Sequence, residues 1–349
     1  MRIHLWIFCL AFAMRAGGAE IHFNFSDYPE GATPTNFVSV LAGGGRPGAW
    51  KIVMDEVPPL LAPLTGRAAP ANRHGVLAQT SQDLTDDHFP MFVFTGEKFR
   101  DFKFTTRFKI VSGITEQMAG VVFRYQNSSN FYVLRVSALG KNIGFYKVVN
   151  GAIVSPIKIA REISTGAWHT LEVDCAGVAI DCLLDGKKAL PTITEDRSPP
   201  DGKIGFWTKS DAVTYFTDAS VNYTPIIPAA QVLVDSILQK QTRLLGLRIY
   251  TAQTNGATQV IASKDAAEIG LAGTEAEAKA IRDGAVFFGR EKGAVLVTLP
   301  LHDRNGDYIA AVWVRLKSFF GETQDTALSR ARRIVKQMQT QVGSAQDLE

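Results

Sequence analysis

Two arginines on neighbouring strands, Arg124 and Arg135, are the first residues whose spacing suggests chemistry. They flank a turn in Gly120–Ser137, and centring that turn on Asn127-Ser128 sets Gly120 opposite Arg135, Phe123 opposite Tyr132 and Arg124 opposite Phe131. Side chains alternate across a strand, so Val121, Phe123, Tyr125, Tyr132, Leu134 and Val136 should form a core face. Both arginines then share the other face with Val122, Phe131 and Val133, where guanidinium groups can donate to hydroxyls or carboxylates. Further on, Trp207 and Lys209 share one parity, opposite to Phe206. An indole beside a cation suits a sugar ring, which has one apolar face and a polar rim. Arg124, Arg135, Trp207 and Lys209 are therefore the expected ligand contacts. Solvated arginines and a core tryptophan are the plain alternatives.

The acids, cysteines and histidines say less. A second turn centred on Gly177-Val178 sets Asp174 opposite Asp181, Val173 opposite Cys182 and Cys175 opposite Ile180. Facing carboxylates repel unless they are solvated or bridged by a cation, which makes calcium a candidate cofactor there. Asp86 and Asp87 offer hard oxygens too, without the tight spacing of a calcium loop. Cys175 and Cys182 are diagonal neighbours, a strained geometry for a bridge, and two buried thiols are favoured. His4, His22, His74, His88, His169 and His302 share no metal-ligand spacing. No phosphate-binding loop, G-x-S-x-G or H-E-x-x-H string occurs.

The elements that must carry these residues fall into two parts. The chain has 349 residues, 46% hydrophobic and 20% charged, with a formal charge of +3. Such a composition is globular, and the charge balance speaks against a nucleic-acid partner. Residues 1–19 read as a signal peptide: Arg2, an apolar run from Leu5 to Met14, then Gly17-Gly18-Ala19. No later stretch reaches the about eighteen apolar residues of a membrane span, so the expected location is secreted or periplasmic. Residues 20–224 are rich in short alternating strands without intervening helices, which predicts a β-sandwich or barrel and suits a jelly roll. Residues 225–230 form a proline-bracketed linker, and 231–349 predict a smaller α+β domain. There Gln231–Leu245 and Thr326–Val342 have helical spacing, Thr274 and Glu277 make a capping box, and Asn255-Gly256 signals a hairpin.

On these residues the first domain resembles the laminin-G-like, concanavalin A-like jelly rolls of secreted bacterial proteins. The carriers are Ala119–Gln126, Asn130–Arg135, Trp168–Val173, Leu184–Lys187 and Gly202–Lys209. That group includes 3-keto-disaccharide hydrolases. The second domain resembles PAS-like Cache sensor modules through Val297–Gly306 and Ala310–Arg315. The resemblance implies a mostly β chain, a jelly roll followed by a PAS-like domain. Glucanases of the jelly-roll fold carry E-x-D-x-x-E on one strand, and Glu172-Val-Asp174 lacks the last acid.

The leading expectation is thus a non-catalytic, lectin-like protein binding a glycan or oligosaccharide, with an appended ligand-sensing or interaction module. One alternative is a hydrolase or lyase on a modified disaccharide, using Glu172, Asp174 or His88. Another is a structural or sensory partner whose second domain binds a small molecule or an exported protein through Tyr250, Arg290 and His302.

Overall fold

The computed structural model describes residues 18–59, 71–195, 201–241, 243–253 and 256–348. Residues 1–17 of the expected leader, Cys9 among them, and Asn255 of the expected hairpin lie outside the described residues. The chain divides into two compact units at Ile226/Ile227.

Alternation drives the first unit into sheets. Along Phe102–Ser112, Phe102, Phe104, Thr106, Phe108 and Ile110 point inward and are buried, as a strand with one core face requires. Seven antiparallel strands form one sheet, in the order Ala152–Ala160, Asn142–Val149, Asn130–Ser137, Met118–Asn127, Lys203–Trp207, His88–Phe94, Phe37–Gly43. The other sheet runs Lys187–Lys188, Ala179–Leu184, His169–Ala176, Phe102–Ser112, Val213–Tyr223, Asn72–Gln79, Trp50–Val57. Ala19–Phe23 and Ile193–Thr194 add to it beside Val213–Tyr223 and Ala179–Leu184. Phe92, Phe123 and Phe206 from the first sheet meet Phe104, Phe108, Phe216 and Leu77 from the second in one core. This is a β-sandwich, and the unit's aromatic density lies in its centre.

The hairpin turns are local and follow their residues. Asn150 and Gly151 both have positive φ (50° and 81°), the mirror-image turn that matches strand twist. Asp174 pairs with Asp181, and Val173 with Cys182, in the expected register. The two acids are answered by lysines: Lys188 lies 2.7 Å from Asp181, and Lys103 lies 3.6 Å from Asp174. Among the described residues no group of three His, Cys, Asp or Glu side chains is placed to hold a metal.

Cys175 and Cys182 are free and buried, and burial pushes both thiols up to about 12. In the unfolded chain they ionise near their ordinary 9, so the fold holds them neutral. Their contribution to stability is complete below pH 9 and is lost as pH rises towards 12. Mass-spectrometric mapping of a thiol reagent should leave both unmodified in native protein at pH 8 and modify both in denaturant. Native modification of either would contradict their burial.

The second unit is a five-stranded antiparallel sheet in the order Thr258–Ser263, Leu244–Ala252, Tyr308–Lys317, Ala294–His302, Phe287–Glu291. Helices Ala229–Lys240, Glu275–Asp283 and Gln324–Gln339 accompany it. The capping box forms as read: Thr274 accepts from the helix start while Glu277 accepts from the Thr274 amide at 2.8 Å. The first helix ends earlier than its apolar spacing suggests. Leu244 pairs with Leu316 in the sheet, where strand pairing outweighs helical continuation. Among the described residues, no helix is long and apolar enough to cross a membrane.

Candidate functional site on the outer face of the seven-stranded sheet

Arg135 sits at the centre of this face, its side chain laid against the sheet and 5% exposed. Its cross-strand partners are both glycines, Gly120 on one side and Gly144 on the other. A Cβ on Gly120 would come within 3.0 Å of both the Arg135 Cβ and the Trp207 ring; one on Gly144 would lie 3.0 Å from the guanidinium. The two bare positions thus let Arg135 and Trp207 lie along the sheet instead of standing off it. Asn142 accepts from the guanidinium. Tyr146 approaches Trp207 edge-on at 6.3 Å, and Phe89 stacks on the indole at 5.9 Å. Burial lowers the affinity of Arg135 for its proton, opposed by Tyr146 and Glu116, and burial raises the Tyr146 phenol well above its usual range.

Beside this group lies a lysine held by two acids. Lys209 Nζ is 2.6 Å from Asp86 Oδ1 and 2.9 Å from Glu116 Oε1. Burial disfavours its charge, yet the hydrogen bonds to Asp86 and Glu116 prevail and raise it. Glu116 is placed from behind. Asp211 accepts the amides of Ile114, Thr115 and Glu116 at 2.6–3.0 Å, which pins the loop after the Phe102–Ser112 strand. Burial works against the Asp211 charge, but these three amides outweigh it and lower its carboxyl. Sequence reading missed Glu116, because only the fold brings Asp211 beneath its loop.

The expected contacts divide. Arg135, Trp207 and Lys209 belong to this part of the sheet, while Arg124 does not. Pairing between Met118–Asn127 and Asn130–Ser137 holds the expected register up to Phe123–Tyr132, then shifts, and Asn127 pairs with Asn130. Arg124 takes φ +48° in that bulge and turns inward, 1% exposed, its guanidinium 5.3 Å from the Tyr132 ring centre. Tyr125, expected in the core, moves outward to pack on the face holding Trp207 and Phe131. A bulge adds residues to one strand, so simple alternation fails beyond it. Trp207 is 1% exposed and its ring is occupied by Phe89 and Tyr146, so it forms the wall of the site.

The other candidates lie elsewhere. Glu172 is on the nine-stranded sheet, 3.1 Å from Lys103 and hydrogen-bonded by Thr105, with Asp174 sharing the same lysine. His88 is fully buried, with Nε2 2.6 Å from the Arg46 carbonyl and Nδ1 3.3 Å from that of Ser210, and so ties loops together. In the second unit, Tyr250, Arg290 and His302 do not share a pocket. Tyr250 lines a cavity of about 300 Å³ with Arg248, Glu277 and Trp313. His302 lines another, with Tyr308 and Arg332, while Arg290 donates to the Glu322 carbonyl.

Chemically, the face combines donors (Arg135, Tyr146, Lys209), acceptors (Glu116, Asn142) and aromatic walls. That mixture suits a polyhydroxylated ligand, since each hydroxyl both donates and accepts. No curated protein matches the chain. Among solved structures, it is similar to the carbohydrate-binding module CBM66 of Bacillus subtilis at 17% identity, over 50% of this chain and 94% of that one, with a TM-score of 0.37. A Bacillus subtilis protein of galectin-like fold is 11% identical over 50% of this chain and 89% of its own, with a TM-score of 0.34. A Caenorhabditis elegans galectin is 9% identical over 42% and 86%, with a TM-score of 0.26. Residues 44–221, half of the chain, match the 3-keto-alpha-glucoside-1,2-lyase-like domain, and the chain belongs to that family.

Proposed function

We propose that this chain is an exported saccharide-binding protein whose site is the Arg135 face, with oxidised glucosides as its ligand class. The observation that carries this is the arrangement around Arg135. A guanidinium is laid flat between two glycines, with the Lys209–Glu116 pair and Tyr146 on the same sheet, so donors and acceptors converge beside an aromatic wall. The family match supplies the ligand class, through the 3-keto glucosides in the family's name. Export rests on the leader-like residues 1–19. The PAS-like second unit is a module for a small molecule or an exported protein.

A second reading is elimination or hydrolysis at the same face, favoured by the family match and by Glu116, a carboxylate held against Lys209. In a 3-keto sugar the ketone acidifies the neighbouring carbon-bound hydrogen, which a positioned carboxylate can remove.

One calorimetric and chromatographic experiment separates the two. The full chain is titrated with a 3-keto glucoside and with its unoxidised parent, with and without calcium, and the mixture is assayed for released aglycone. Binding without release supports the leading reading, and release that Glu116→Gln abolishes supports the second. Arg135→Ala and Lys209→Ala should each weaken binding about tenfold or more, the worth of a charged hydrogen bond. Undiminished binding in both variants would remove this face from consideration.

A further inference from the structure

Away from that face, three residues of one loop-and-hairpin stretch meet where the nine-stranded sheet ends in loops. Ser164 Oγ lies 2.8 Å from His169 Nε2. His169 Nδ1 lies 2.9 Å from Asp185 Oδ2, and Asp185 Oδ1 accepts the Thr170 amide at 2.8 Å. Asp185 is set by the Asp185-Gly186 turn, where both residues have positive φ, and its amide donates to the Thr170 carbonyl at 2.9 Å. The imidazole plane is fixed by stacking on Phe108 at 5.6 Å. The histidine is therefore held from two sides while the serine stands exposed.

We propose that Ser164, His169 and Asp185 form a nucleophilic site that cleaves small, unhindered acyl esters. The geometry meets the requirement for an activated hydroxyl: nucleophile and base within hydrogen-bond reach, and the base oriented by a third group. With Nδ1–H donating to Asp185, Nε2 carries the lone pair that accepts from the Ser164 hydroxyl at 2.8 Å, which is nearer than the Ser164 carbonyl oxygen at 3.3 Å. Asp185 is a positioning residue, fixing the tautomer without touching substrate.

The reaction balances with water alone. Ser164 Oγ attacks the ester carbonyl carbon while its proton passes to Nε2. The tetrahedral intermediate expels the alcohol, which takes that proton, and leaves an acyl-serine. Water, giving a proton to the same imidazole, then attacks the acyl carbon and restores the serine, releasing the carboxylic acid. Small, unhindered acyl esters are the substrate class because they reach the exposed Ser164 Oγ without a binding cleft to orient them. The site stands independently of the saccharide reading, because none of its residues belongs to the Arg135 face.

The test uses the full chain with p-nitrophenyl acetate as substrate and a fluorophosphonate as covalent probe, with the adduct mapped by mass spectrometry. The expected result is an adduct on Ser164 and ester hydrolysis that falls about a hundredfold or more in Ser164→Ala and His169→Ala. Asp185→Asn should also lose hydrolysis, with part of it restored by Asp185→Glu. Ser164→Ala removes a single exposed oxygen, so its fold is secure even where the histidine variant is not. No adduct on Ser164, or hydrolysis unchanged in Ser164→Ala, would overturn the proposal.

Discussion

Gly205→Ala should destabilise the sandwich by about 3 kcal/mol or more, the upper range for overpacking a core. Gly205 lies in the central strand Lys203–Trp207, paired with Val93 on one side and Val122 on the other. A methyl group there would sit 2.2 Å from the Phe92 carbonyl oxygen and 2.9 Å from the Val93 Cα. Both are backbone atoms of the neighbouring strand, so no rotamer change makes room, and the strands must separate. For a domain of this size the loss corresponds to about 6 °C or more in melting temperature. Gly289→Ala is the matched control, since its Cβ would meet Leu296 only at ordinary contact distances of 3.7 and 3.8 Å. Urea unfolding of both variants checks the argument. Gly205→Ala within about 0.5 kcal/mol of the parent protein, the range of an ordinary surface change, would refute it.

Arg124→Met should move stability the other way, by about 1–4 kcal/mol in favour of the fold. The guanidinium is 1% exposed, and among the described residues none of its three nitrogens has a hydrogen-bond partner. Desolvating a cation costs several kcal/mol. The favourable contact is the Tyr132 ring face, whose other cation is Lys147 at 5.5 Å and whose hydroxyl meets Glu195 at 3.2 Å. A cation on an aromatic face returns about 2 kcal/mol when desolvated, less than the burial takes. Methionine keeps the length, packs on the same ring and needs no partner. The left-handed φ of the bulge is equally strained in both proteins and cancels. A higher urea midpoint at unchanged slope is the expected observation. A lower midpoint would mean that Tyr132 holds the guanidinium more strongly than desolvation opposes it.

These two residues also show where sequence reasoning stops. The register of Gly120 with Arg135 and of Asp174 with Asp181 follows from the turn position alone, because both partners lie within one hairpin. Arg124 lies in such a hairpin too, yet its face could not be counted. A Cβ on Gly202 would fall 2.4 Å from the Arg124 carbonyl carbon, so a glycine from another strand makes space for the bulge. Glu116 escaped for a similar reason: its place depends on Asp211, which joins it only through sheet pairing. Ser164, His169 and Asp185 show no motif spacing: His169 and Asp185 lie at the open end of one hairpin, and the loop leading into it brings in Ser164.

Sequence alone determined the alternating strands of the first unit, the helix–strand order of the second, the glycine-backed position of Arg135 and the pairing of the two cysteine-bearing strands. Each depends on interactions among residues close in the chain, where side-chain period and turn chemistry act directly. Tertiary structure decided which arginine faces outward, that Trp207 is wall rather than platform, and which acid stands beside Lys209. Those outcomes depend on distant backbone segments sharing the same few ångströms, and excluded volume between them leaves no periodic trace in the sequence.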